Sequence, residues 1–459
     1  MLQVVLISTY DLGRQPFGLA SPAAWLREAG AEVTCLDLSV ERLEEDAVAA
    51  ADLVAFYLPM HTAARIAARV VARVRALNSK AHLCFYGLYA PVNETYLRAL
   101  GAGTILGGEY ESGLLSLVKR LVARPNGKQA GVPQSEPVVS LAKQQFLRPD
   151  RSGLPPLAKY ACLQVGEGPG RIVGYTEASR GCKHLCRHCP VVPVYRGRFR
   201  VVQQEIVLED IRQQVAAGAE HITFGDPDFF NGVGHALALV TALHQEHPRL
   251  TYDVTIKIEH LLRHQRHLRT LRDTGCLLVT SAVESIDDRV LAILDKGHTR
   301  SDFIHVVRLF DDAGLILNPT FVAFTPWISI DGYRELLALL AELGLVEHIA
   351  PIQLAIRLLI PAGSRLLELP EVREMVERFD EKRLVHNWRH KDPRVDRLQG
   401  EIQSLVQASE ARHDGRRETF SRVRRLADQT ATAAWPIGIR AKERISRAAI
   451  PYLTEPWYC

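Results

Sequence analysis

Twice along this chain, short β-rich runs alternate with amphipathic stretches, and that alternation limits the fold more than any other feature. In the first series, LQVVLIS, AEVTCLDL, DLVAFYL, AHLCFYG and AGTILGG read as strands. Between them, SPAAWLREAG and HTAARIAARVVARVRALN carry apolar residues at helical spacing. Parallel strands need long crossovers, which such helices supply, so an open, mostly parallel α/β sheet is expected. The second series begins near Arg171 with RIVGYTEA, HITFGD, YDVTIKI, CLLVTSAV, LILNPTFVAF and PIQLAIRLLI. Six β/α units predict a parallel barrel, complete or partial, with its chemistry at the C-terminal strand ends.

The expected fold class is therefore α/β, in four parts. A Rossmann-like open sheet spans 1–123, and a Pro-, Gly- and polar-rich linker that wraps a neighbouring surface spans 124–165. A β/α barrel of TIM type spans 166–370. A charged, largely helical extension spans 371–459 and ends in the apolar AAIPYLTEPWYC. A net charge of +4 is too small to argue for nucleic acid. No apolar run reaches the roughly 18 residues of a membrane span, and the start MLQVVLISTYDLG lacks a basic leader region. The expectation is a cytoplasmic protein, in which clustered cysteines bind metal or catalyse.

The cluster is RGCKHLCRHCP, directly after the first strand of the second series, with three of the chain's eight cysteines. Cys182, Cys186 and Cys189 form C-x3-C-x2-C. Three thiolates this close can ligate three corners of a [4Fe–4S] cubane and leave one iron open, since such clusters usually take four cysteines. The competing assignment is a structural zinc with His184 or His188 as fourth ligand. Zinc sites usually pair two separated CxxC-like motifs, which are absent here.

C-x3-C-x2-C after the first strand of a β/α barrel resembles the radical S-adenosylmethionine (SAM) superfamily. The resemblance implies that the open iron chelates SAM and that one electron releases a carbon radical. His188 stands where many members carry an aromatic residue. In FGDPDFF, Gly225, Asp226 and Asp228 lie where the family's Gly-Gly-Glu-like turn binds the SAM amino group, and an acid there can accept from an ammonium. In SAVES, Ser281, Glu284 and Ser285 match the region near the ribose and methionyl moiety. Lys257 and Glu259 alternate on the expected third strand and so share one face. Gln353 and Arg357 lie on the sixth, where the buried charge of Arg357 needs a carboxylate, either of the protein or of SAM. The basic run Arg180, Lys183, Arg187, Arg196, Arg198 and Arg200 is either a solvated face or a dock for an anionic substrate or an acidic, flavodoxin- or ferredoxin-type electron donor.

The first region, with GGEYESGLLSLVKRL, resembles the cobalamin-binding domain joined to many radical SAM enzymes. It lacks their D-x-H-x-x-G motif, so cobalamin binding and a fold kept for docking stand as alternatives; His61 reads as a helix-start residue. The tail YLTEPWYC, with PDRSGLPPL and RLLIPAGSRLL, resembles a subfamily whose tail carries Cys-Cys-Ala-Glu-Pro or its selenocysteine form. Here Tyr452 and Leu453 replace the chalcogens, and Cys459 remains as a terminal thiol. The resemblance implies a transferase with Glu284, Arg357 and Cys459 as catalytic candidates and a small-molecule substrate. The specific expectation, from the subfamily's link to arsinothricin biosynthesis, is transfer of the 3-amino-3-carboxypropyl group of SAM to trivalent arsenic; the alternatives are a cobalamin-dependent methyl transfer or deoxyadenosyl-radical reaction on a natural-product substrate, and a non-catalytic metal-binding scaffold.

Overall fold

The computed structural model of the chain describes residues 1–123, 136–166, 168–431 and 450–454. Its first sheet contains β1 (Gln3–Ser8), β2 (Glu32–Asp37), β3 (Leu53–Tyr57), β4 (His82–Tyr86), β5 (Thr104–Gly108) and β6 (Val139–Ser140). The strands are parallel, in the order β2-β1-β3-β4-β5-β6. Alternation within each strand feeds two cores. Val5, Ile7, Leu83 and Phe85 pack on one face, and Val4, Leu6, Cys84 and Tyr86 on the other. Helices such as Phe17–Glu28 and His61–Leu77 cover these faces.

Residues 136–160 bind both halves of the molecule. Gln144 reaches Glu111 in the helix Tyr110–Val122 that follows β5, and the backbone of Phe146 donates to Gln203. Arg151 pairs bidentately with Asp210 at 2.8 Å while also bonding Gln15 and the Tyr175 carbonyl.

The second sheet is a curled half-barrel. It uses β7 (Cys162–Gln164), β8 (Arg171–Thr176), β11 (His221–Phe224), β12 (Thr251–Thr255), β13 (Cys276–Glu284) and β14 (Ile316–Phe321). Two short strands, β9 (Ser179–Gly181) and β10 (Phe199–Val201), form a separate antiparallel pair around the cysteine loop. Within the half-barrel, β8, β11, β12, β13 and β14 are parallel, as the alternation predicts.

The sixth expected strand is not one. PIQLAIRLLI forms a 3-10 turn over Pro351–Leu354 and then a single parallel bridge between Phe324 and Arg357. An apolar run alone does not separate a strand from other buried backbone. The expected helical extension also holds an antiparallel hairpin, β15 (Val376–Asp380) with β16 (Val385–Trp388), before helices Pro393–Ala411 and Arg416–Thr430. Leu384 at its turn enters the first domain's core, and the Arg383 carbonyl meets His61 Nε2 at 2.7 Å. His61 thus opens its helix and ties the hairpin down. The tail contributes β17 (Tyr452–Leu453), antiparallel to β7 at the far edge of the half-barrel. Cys459 lies outside the described residues.

Candidate metal centre at the barrel mouth

The loop 182–189 leaves β9 at the C-terminal end of the half-barrel, where parallel strands place their ligands. Its backbone is fastened on several sides. Asn231 Nδ2 donates to the Gly181 carbonyl at 3.3 Å, and Asn231 Oδ1 accepts from Lys183 N at 3.1 Å. Arg187 N donates to the Leu294 carbonyl at 2.9 Å, while its guanidinium caps the same helix end through Ala292 and Ile293. Arg365 binds the Leu185 carbonyl, and Ser364 that of Arg187. Cys186 is buried, and Cys182 and Cys189 are half-buried against Val191, Val194 and Tyr195.

Burial pushes the Cys182 thiol up to about 11 and the Cys189 thiol up to about 12. Bare thiolates are thus disfavoured there, and a bound cation is what would stabilise them. The three fastened thiols on one loop fit a [4Fe–4S] cluster through Cys182, Cys186 and Cys189. The zinc alternative takes a different shape from the expected one. Cys182, His184 and Asp228 present ligand atoms within 4.8 Å of one another, so only one of the three thiols belongs to that group. His188 is engaged with Glu284 instead.

Beside the loop stands a buried charge group the sequence reading missed in part. Glu284 Oε1 lies 3.0 Å from His188 Nε2 and 3.3 Å from Lys296 Nζ. A register shift between β13 and β14 at Ala282/Glu284 leaves Glu284 at φ 69°. Such a bulge re-aims a side chain, here toward the cysteine loop. Burial opposes its charge, yet Lys296 and His188 hold its carboxyl down at about 2. Lys296 is itself buried, and its charge is felt by Cys186 and Cys189. Nearby, burial with Lys296 and Lys257 lowers His298 to about 4.

The other expected site residues divide. Asp228 is buried at the mouth, its Oδ2 2.7 Å from His260 Nδ1 and 3.5 Å from His184 Nε2. Asp226 is committed within the fold: it accepts from Ala178 N at 2.9 Å and from Ser179 Oγ at 2.5 Å, and burial raises its carboxyl to about 7. Gly225 leaves room for the Tyr175 hydroxyl, which a Cβ would meet at 1.8 Å. Lys257 and Glu259 do meet, at 3.3 Å, although not as strand neighbours. β12 ends at Thr255, and Lys257 caps the helix Ile258–Arg263. Ser281 is fully buried in β13, and its Oγ has no hydrogen-bond partner among the described residues. Gln353 is structural, accepting from Phe321 N. Arg357 finds a protein carboxylate, Asp396, at 2.6 Å and lies over the Trp388 ring. It lines a cleft of about 970 Å³ between the barrel edge, the hairpin and His61.

Two residues before the loop, Arg180 is buried among acids from both domains. It contacts Glu111 at 2.7 and 2.9 Å, Glu177 at 2.6 Å and Glu109 at 3.6 Å. The rings of Phe17, Tyr110 and Phe146 surround it at 4.9 to 5.6 Å. Burial lifts Glu109 to about 7, whereas Arg180 holds the equally buried Glu111 below its usual range. Beside β5, the first sheet's C-terminal edge is filled by the chain's own groups. Tyr57, Tyr86 and Tyr110 pack together there, Gly107 lies against Pro91, and Gly108 against Ser140. Cβ atoms at Gly107 and Gly108 would come within 2.2 Å of those neighbours, so no cradle for a corrin is open at these glycines.

Residues 176–340 match the family model of the Radical SAM superfamily. Curated relatives include a tRNA-2-methylthio-N(6)-dimethylallyladenosine synthase of Chlorobium luteolum, 28% identical over 178 residues, which cover 35% of this chain and 37% of that protein. Another of that name, from Parabacteroides distasonis, is 27% identical over 192 residues, or 38% of this chain and 41% of the relative. The chain thus spans well under half the length of these relatives. Among solved structures, the cobalamin-dependent SAM radical enzyme OxsB with aqua-cobalamin and SAM aligns over 89% of this chain and 67% of its own, with TM-score 0.70 and 14% identity. The radical SAM methyltransferase TsrM from Kitasatospora setae, with cobalamin and a [4Fe-4S] cluster bound, covers 75% of this chain and 71% of its own, with TM-score 0.57 and 18% identity.

Proposed function

From the premise that this chain carries a radical SAM domain and is an enzyme, we infer that it cleaves SAM reductively at the mouth of its half-barrel and transfers a fragment of it. The observation that carries this reading is the placement of Cys182, Cys186 and Cys189 on one loop, fastened on several sides at the C-terminal strand ends. When bound there, the [4Fe–4S] cluster supplies one electron to the sulfonium. Cys182, Cys186 and Cys189 would hold it, and Asn231 fixes the first turn of their loop. Lys296 brings positive charge toward the thiolates, held in place by Glu284, which His188 in turn positions. Asp228 offers an acceptor for an ammonium, and Ser281 an unused hydroxyl in the barrel. Free thiols throughout the described residues suit a reducing, cytoplasmic setting.

The finer reading is transfer of the 3-amino-3-carboxypropyl group to trivalent arsenic, breaking the Cγ–S bond of SAM and forming a C–As bond. Its support is the resemblance of the tail, whose Cys459 would meet a soft acceptor as thiolates do. Cys35, Cys84 and Cys276 are buried in cores, and Cys162 lies 3.6 Å from Thr454 Oγ1, so these four offer an acceptor no thiol pair. Cobalamin, which the OxsB and TsrM structures contain, has no assigned step, because no cradle for a corrin is open at Gly107 and Gly108. The deciding experiment identifies the SAM fragment released under reducing, oxygen-free conditions with arsenite present. 5′-Methylthioadenosine supports the finer reading, and 5′-deoxyadenosine supports a deoxyadenosyl-radical reaction on another small molecule. Intact SAM overturns the whole reading.

A further inference from the structure

Beside the cysteine loop, the barrel mouth carries a second set of ligand atoms that the cluster leaves unused. Asp228 follows β11 and is 1% exposed. Its Oδ1 accepts from Phe230 N at 3.2 Å, and its Oδ2 lies 2.7 Å from His260 Nδ1 and 3.5 Å from His184 Nε2. His260 is buried in the helix Ile258–Arg263, with its ring 4.7 Å from that of His184. Neither contact has hydrogen-bond geometry. Asp228 Oδ2, His260 Nδ1 and His184 Nε2 are all buried without a hydrogen-bond partner among the described residues. Buried polar atoms normally have one, so three that face each other need a cause. Ligands of one shared ion meet in this way, since each aims its lone pair at the common centre and passes its neighbours off line. Zinc ligands at about 2.0–2.1 Å stand roughly 3.3 Å apart in a tetrahedron. The two separations here, 2.7 and 3.5 Å, bracket that value.

The surroundings suit a metal as well. A histidine that binds metal usually turns its other ring nitrogen to a carboxylate, which fixes the ring's orientation. His184 Nδ1 lies 3.4 Å from Glu259 Oε2, and Glu259 is itself steadied by Lys257 and Arg263 at 3.3 and 3.2 Å. His260 lines a cleft of about 500 Å³ with Phe230, Arg263 and His264, which gives an ion an entry path. Cys182 Sγ is near too, within 4.8 Å of the His184 and Asp228 ligand atoms, but the cluster claims that thiolate. Resting on the cluster reading above, we propose that His184, Asp228 and His260 form a separate site for one divalent transition-metal ion, zinc or ferrous iron, beside the cluster. Two imidazoles and one carboxylate leave a coordination position open, where the ion holds a small-molecule donor. The ion takes Asp228 Oδ2, the oxygen otherwise available to an ammonium.

The test adds zinc sulfate to the anaerobically reconstituted, cluster-loaded protein and removes loose metal on a chelating resin. The parent should keep about one zinc per chain beside its cluster iron, and X-ray absorption at the zinc edge should show nitrogen and oxygen neighbours at about 2.0–2.1 Å. His260→Ala and Asp228→Asn should lose the zinc and keep the iron, which also shows that they fold. Glu259→Gln, which disturbs only the partner of His184, should weaken zinc binding by about 10- to 100-fold. Cys186→Ala should lose the cluster and keep the zinc. Cluster iron without zinc in the parent, zinc retained by His260→Ala, or zinc released when SAM is added overturns the proposal alone. Zinc bound by several sulfurs at about 2.3 Å in place of iron overturns the cluster reading and this site with it.

Discussion

Replacing Arg180 by Met removes the one cation in a box of three buried carboxylates. Glu109, Glu111 and Glu177 are all at most 9% exposed, so water cannot take over the lost contacts. Removing one partner of a buried ion group costs about 3–5 kcal/mol, because the remaining charge is left uncompensated. Met conserves the packing against Phe17, Tyr110 and Phe146, so the loss reads charge rather than volume. The deficit must also depend on pH. Without Arg180 the acids escape part of the cost by taking up protons, which becomes harder as pH rises, so the variant should fall further behind at about pH 8 than at about pH 6. Urea unfolding of the cluster-loaded protein at both pH values measures this. The Arg180→Met/Glu111→Gln double variant should recover part of the loss, since it removes the acid that Arg180 grips with two hydrogen bonds. A variant within about 1 kcal/mol of the parent, far below the cost of breaking a buried pair, would refute the reasoning. A deficit indifferent to pH would refute it equally.

Other consequences are as direct. Glu109→Gln should flatten the pH dependence of Tm, because a carboxyl raised to about 7 in the folded protein costs stability progressively as pH climbs from about 4.5 to 7. Glu284 works in the opposite sense. Held at about 2, it adds stability above its unfolded value that is lost as pH falls toward about 2, and Glu284→Gln should lose that acid-side slope in pH-dependent melting. Asn231→Ala removes the two hydrogen bonds that shape the Gly181–Lys183 turn, worth about 1 kcal/mol each, and should lower iron content per chain after reconstitution while leaving the global fold intact by circular dichroism. Cys186→Ala should lose most of the cluster absorbance, whereas Cys276→Ala, buried in the barrel core, should retain it.

What the sequence disclosed was whatever repeats locally. The strand–helix alternation placed β1 to β5, β8 and β11 to β14 but not the short pair β9 and β10, and the cysteine spacing located the mouth of the half-barrel. What stayed hidden depends on partners far along the chain. Arg180 meets Glu111 across 69 residues, and His188 meets Glu284 across 96. Arg357, placed on an expected sixth strand, is settled by Asp396 on a later helix. A short edge pair such as β17 on β7 leaves no period to read, since its register is set only once both strands are in place. One signal was available: in DKGH, a lysine beside a glycine held at φ 71° marks a tight turn between two helices, Asp288–Leu294 and Arg300–Ala313. The zinc assignment failed to anticipate Asp228 because its closeness to Cys182 is tertiary.

The central claim is that three thiols leave one iron free to meet SAM. Electron paramagnetic resonance of the anaerobically reconstituted, reduced protein tests it most directly, recorded before and after SAM is added. The account predicts a reduced [4Fe–4S] signal whose g-values change on addition of SAM, followed by loss of intact SAM. A zinc-loaded protein without such a signal, or a cluster spectrum that SAM leaves unaltered, would contradict it.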